Sequence, residues 1–170
     1  MWCIRIAKRG SIMFILPLGL NRRGKDKLKL RVWRDPDLPQ GMESYLKTCF
    51  VSDIIPENRY EWVQTKFESC RNNEFNLVYS SAVNPPGLLG WYKGNSNVEI
   101  RWDAIQQVYP HDSQLFKRTG YVTAHEMGHS YTAWHHNNCL MVANPGDLPE
   151  DCDKFCNRCK NEWWKILGGL

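Results

Sequence analysis

The sequence predicts an α+β domain in which a small twisted mixed sheet packs against helices. Strand-length apolar or alternating segments recur along the N-terminal part, helix-period segments are interleaved with them and follow them, and 170 residues suffice for one hydrophobic core. Hydrophobic residues make up 42% and charged residues 24% of the chain, a globular composition rather than a disordered or fibrous one. No apolar run approaches the roughly 20 residues of a membrane helix, so no membrane partner is expected.

In chain order, Ile12–Leu18 is a continuous apolar run between Gly10 and Gly19, as a buried strand would be. Leu28–Trp33 alternates apolar and basic residues over most of its length, the pattern of a half-exposed strand. Asp35-Pro36-Asp37 and Pro39-Gln40-Gly41 then place a loop. From Pro56, residues Tyr60, Val63, Phe67 and Cys70 keep to one helical face, with proline in the first turn, and predict a helix. Phe75–Ser80 reads as a strand. So does Asn97–Trp102, with Val98, Ile100 and Trp102 on one side, Glu99 and Arg101 on the other, and an interior place in the sheet. Asn84-Pro85-Pro86-Gly87 and Gly94-Asn95 mark turns. A helix should begin near Thr119 or Gly120 and run to about Tyr131. Another should follow Phe155, with Trp163, Trp164, Ile166 and Leu167 forming its apolar side.

The net charge of +4 is unevenly spread: residues 1–34 hold ten Lys/Arg and one Asp (+9), leaving −5 for the rest. Residues 1–10 read as a basic segment without fixed structure, ahead of a single domain over 11–170. No nucleic-acid-binding motif accompanies the basic residues, so a nucleic-acid partner is not expected. The apolar stretch Ile12–Leu20 is broken by Pro17 and Gly19 and is followed by Asn21-Arg22-Arg23-Gly24-Lys25, which has no small-residue cleavage site. A cytoplasmic location is therefore expected.

The chemistry concentrates in one window. Four of the five histidines fall between His125 and His136. On a helix His125 and His129 are one turn apart, so both imidazoles project from one face towards a common point. Zinc takes imidazole nitrogens at about 2.0–2.1 Å, and two ligands at this pitch suit adjacent corners of a tetrahedron. Glu126, rotated by about 100° from His125, would reach a metal-bound water without displacing it. His135 is the nearest candidate for the third ligand, provided the helix stops soon after Tyr131 and the chain turns back.

At these residues the chain resembles the metzincin metallopeptidases, and within that clan the archaemetzincins. Their HExxHxxGxxH motif is followed by Cys, by Cys-x-Met and by a distant CxxC, which together bind a second zinc. Here the corresponding residues are His125-Glu126-Met127-Gly128-His129, His135, His136, Cys139-Leu140-Met141 and Cys156-Asn157-Arg158-Cys159. Phe14-Ile15-Leu16-Pro17-Leu18-Gly19 is similar to the family's first strand. The resemblance implies a metzincin-like catalytic domain, with 11–134 as its upper part and 135–170 carrying a Met-turn at Met141 and the Cys cluster. Thr132 stands where the family has a glycine that turns the chain. A β-branched residue at positive φ is strained, so His136 is the alternative third ligand. His136 also replaces the family's cysteine, and the spacings to Cys139 and from Met141 to the CxxC are shorter.

Read from the residues, Cys156-x-x-Cys159 is a zinc half-site whose thiolates reach one ion at about 2.3 Å. Cys139 would be the third ligand and His136 or Cys152 the fourth, closing a structural site that pins the C-terminal helix. The expected function is zinc-dependent hydrolysis of a peptide or protein substrate, with two zinc ions and Glu126 activating the water on the catalytic one. Two rivals stand beside it. One is a gluzincin-type hydrolase with Glu150, or Asp153, as third ligand; the other is a non-catalytic zinc-binding module.

Overall fold

The computed structural model describes residues 28–42, 44–46, 60–64, 74–81, 88–111, 113–130, 134–143 and 154–166. The basic segment 1–10, the strand expected at Ile12–Leu18, the turn expected at 84–87, and Thr132, Glu150, Cys152 and Asp153 lie outside them. The elements are β1 (Leu28–Arg34), α1 (Ser44–Leu46), β2 (Tyr60–Gln64), β3 (Glu74–Ser80), β4 (Gly90–Gly94), β5 (Asn97–Arg101), α2 (Trp102–Val108), α3 (Leu115–Gly128) and α4 (Asn157–Ile166). The strands form one sheet in the order β2-β1-β3-β5-β4. All neighbours run parallel except β4, which pairs antiparallel with β5. This is the expected α+β architecture with a mixed sheet.

Alternation builds the core. Val32 lies opposite Leu77, Leu77 opposite Val98, and Tyr79 opposite Ile100, so one sheet face is apolar across three strands. These side chains are buried with Val122, Ala124 and Met127 of α3. The Tyr79 hydroxyl lies 3.3 Å from the Thr123 hydroxyl, which fixes α3 to this face. Thr123 and Thr119 are fully buried, and each hydroxyl donates one turn back, to the carbonyls of Thr119 at 2.8 Å and Leu115 at 2.9 Å.

Four elements differ from expectation. Tyr60–Gln64 is strand β2, not part of a helix, paired with β1 from Leu28↔Tyr60 to Val32↔Gln64. Tyr, Trp and Val favour a pleated surface, and the parallel partner overrides a helical spacing that sequence alone supports. Trp102 opens α2 instead of ending a strand, and its ring stacks on Phe116 at 5.7 Å. β4 carries no strand signal because glycines bound it. It turns into β5 through Gly94, Asn95 and Ser96, all at positive φ, as the Gly94-Asn95 signal predicts. Finally, α3 starts four residues before Thr119 and ends three before Tyr131. Gly120 lies within it for a packing reason: a Cβ there would stand 3.1 Å from the backbone nitrogen of Leu46 and from the Tyr45 Cβ, so glycine admits α1.

The C-terminal helix forms as expected. Trp163 is fully buried, with its ring 5.9 Å from Phe75 of β3 and 6.5 Å from Phe155. Among the described residues, no helix is long and apolar enough to cross a membrane.

Candidate metal centre

The last turn of α3 presents His125, and His129 follows as its C-cap in right-handed conformation (φ −65°, ψ −10°), so the one-turn pitch survives the helix end. Their Nε2 atoms are 3.1 Å apart. Two nitrogens at about 2.0–2.1 Å from a tetrahedral ion would be about 3.3 Å apart, which these positions fit. His135 completes the group: its ring stacks on His125 at 5.2 Å and meets His129 edge-on at 5.0 Å. One ligand atom from each of the three lies within 4.8 Å of the others.

The tautomer of His125 is set by its surroundings. Its Nδ1–H donates to the Leu140 carbonyl at 2.7 Å, so Nε2 carries the lone pair that faces the other histidines. Burial above all, and then His129, holds the imidazole down to about 4, so it is neutral and ready to ligate near pH 7. Glu126, beside it, is pushed up to about 7 by burial, against the opposing Tyr92 N–H, which donates to Oε2 at 2.9 Å.

That contact brings edge strand β4 to the helix, and Gly90 makes it possible. A Cβ at Gly90 would stand 2.8 Å from the Glu126 Cγ and 2.9 Å from a Val122 methyl. Gly90→Ala should therefore destabilise the protein by about 1–3 kcal/mol through overpacking and push β4 off Glu126. Thermal unfolding checks this, with a drop of roughly 2–4 °C expected per kcal/mol at this size; an unchanged midpoint would refute it. Beside the histidines a cavity of about 390 Å³ opens, with Leu88, Leu89, Val122 and Ala143 on its apolar side. Trp134 is 71% exposed and is not among the residues lining the cavity.

A second group lies one residue further on. His136, Cys139, Cys156 and Cys159 bring one ligand atom each within 4.8 Å of one another. The Cys139 and Cys159 sulfurs are 3.7 Å apart, too far for a disulfide at about 2.05 Å and close to the edge of about 3.8 Å of a tetrahedral zinc thiolate site. The His136 Nε2 is 3.2 Å from the Cys156 sulfur and 3.4 Å from the Cys159 sulfur. Its Nδ1 faces the Trp134 carbonyl at 3.4 Å, which leaves Nε2 to the sulfurs. The Cys139 thiol is held well below its ordinary value, first by its contact with the Cys159 side chain and further by the Cys156 N–H, which donates to its sulfur at 3.3 Å, while the same contact pushes the Cys159 thiol up. The donor sets, three imidazoles and three sulfurs with one imidazole, are of the kinds that hold zinc.

The structure thus separates the two candidates for third ligand: His135 joins the imidazole group and His136 the sulfurs. Met141 is fully buried beneath the end of α3, and a Cβ at Gly128 would overlap its sulfur. Sequence reasoning missed Gly90, the Tyr92 N–H, the Leu140 carbonyl and the role of Gly128. Only Gly128, inside the motif, left a sequence signal.

A mixed sheet with an antiparallel edge strand, lying along a helix that ends in paired histidines, makes up an α+β fold. The particular likeness is to archaemetzincin. The crystal structure of that protein from Methanopyrus kandleri matches this chain with a TM-score of 0.61 at 16% sequence identity, covering 83% of this chain and 96% of that one. The chain therefore has an archaemetzincin-like fold. No family model and no curated protein sequence matches it.

Proposed function

We propose that this protein is a zinc-dependent peptidase, with His125, His129 and His135 holding a catalytic zinc and Glu126 as general base. The convergence of three imidazoles beside a half-buried, hydrogen-bonded carboxyl supports this reading above all. Zinc bound there supplies a water acidic enough to ionise near pH 7 and a Lewis acid for the scissile carbonyl. Glu126, held in place by the Tyr92 N–H on its Oε2, would take the proton of the attacking water and pass it to the leaving amine. β4, the edge strand, offers an extended peptide a pairing surface, and the apolar side of the cavity favours an apolar side chain next to the cleaved bond. His136, Cys139, Cys156 and Cys159 hold a second, structural zinc, and Met141 forms the floor under the histidines.

The test is elemental analysis of the purified chain together with hydrolysis of a mixed peptide library. Two zinc atoms per chain and cleavage abolished by chelation, then restored by zinc, are expected. Absence of both zinc and metal-dependent cleavage would overturn the reading.

A further inference from the structure

Each of two catalytic-site groups lies one peptide unit from the thiolate cluster. His135 directly precedes His136, whose Nε2 faces the Cys156 and Cys159 sulfurs. The segment 134–136 has no regular secondary structure, and no hydrogen bond reaches the His135 ring from the described residues. On its C-terminal side, the His136 N–H donates to the Met141 carbonyl at 3.0 Å. Cys139 directly precedes Leu140, whose carbonyl accepts from the His125 Nδ1–H at 2.7 Å and whose N–H donates to the Lys154 carbonyl at 3.3 Å. Both the placement of the third imidazole and the tautomer of the first are therefore set by backbone that the thiolate cluster anchors.

We infer that the His136/Cys139/Cys156/Cys159 cluster is a positioning site for the imidazole site, so that metal in the thiolates raises the affinity of His125, His129 and His135 for theirs. The inference rests on the two-site reading above. Because coupling between binding sites is reciprocal, filling the imidazole site must tighten the thiolate site by the same factor. Outer partners that orient metal-ligating histidines are typically worth about 10–100-fold in metal affinity, which sets the expected size.

Cadmium NMR of the full-length chain tests this, since thiolate-bound and imidazole-bound cadmium give separate resonances whose loss is followed against a competing chelator. Cys156→Ala weakens the cluster from the residue just before α4 without touching either peptide link. It should lower the affinity of the imidazole site by about 10–100-fold, and Cys156→His, which restores a ligand, should recover most of it. His135→Ala, a change at an exposed position, provides the reciprocal measurement: the thiolate site should weaken by the same factor even if Cys156→Ala does not fold. Unchanged affinity at the remaining site in either variant, with both resonances present in the wild type, would overturn the coupling alone. A wild type lacking the imidazole-bound resonance would overturn the two-site reading and the coupling with it.

Discussion

Glu126→Gln is expected to keep its zinc and to lose at least about 100-fold in turnover, the scale on which a positioned general base contributes. Glutamine has nearly the volume of glutamate, and its amide oxygen accepts the Tyr92 N–H as the carboxylate does. The distance from β4 to α3 therefore stays as it is, and Gly90 still faces the same Cγ. What is removed is the ability to take a proton. Elemental analysis and initial-rate measurement on the same sample separate chemistry from folding. Near-normal hydrolysis by the variant would remove Glu126 from the role.

His129→Ala is expected to abolish hydrolysis for a different reason, by emptying the imidazole site. Two imidazoles remain, and the 3.1 Å pair that outlines one edge of the tetrahedron is gone. His129 is half-buried at the helix end, so its truncation leaves the core residues Val122, Ala124 and Met127 in place. Zinc content should fall to about half the wild-type value, the remainder held by the thiolates. Full zinc content with retained activity would show that the catalytic ion is bound elsewhere.

Much of the candidate site was legible because its spacing is short and the helix supplies the geometry. His125, Glu126 and His129 need only a helical pitch, and Cys156-x-x-Cys159 needs only the first turn of α4. The segment around Tyr60–Gln64 shows the opposite case. Tyr60 and Val63 fit a helical face, yet β1 requires a partner along its outer edge, and these residues supply it. β4 was illegible because Gly90 and Gly94 are strand breakers by propensity. Gly90 is there because a side chain would strike Glu126 and Val122, a contact between residues far apart in sequence.

The sequence by itself determined the residue types of both candidate metal sites and the pitch of each local pair, because an imidazole, a thiolate and a helical turn carry their chemistry and geometry wherever they are placed. Only the tertiary structure groups His135 with His125 and His129, and His136 with the sulfurs. Adjacent histidines in an irregular segment have no periodicity to distinguish them, and their partition follows from α4 packing its Trp163 against Phe75 and so bringing Cys156 and Cys159 to His136. The same packing sets Leu140 against His125 and Met141 beneath Gly128. Those contacts join chain segments 13 to 15 residues apart through a backbone carbonyl and a space left by an absent side chain, and neither has a sequence pattern of its own.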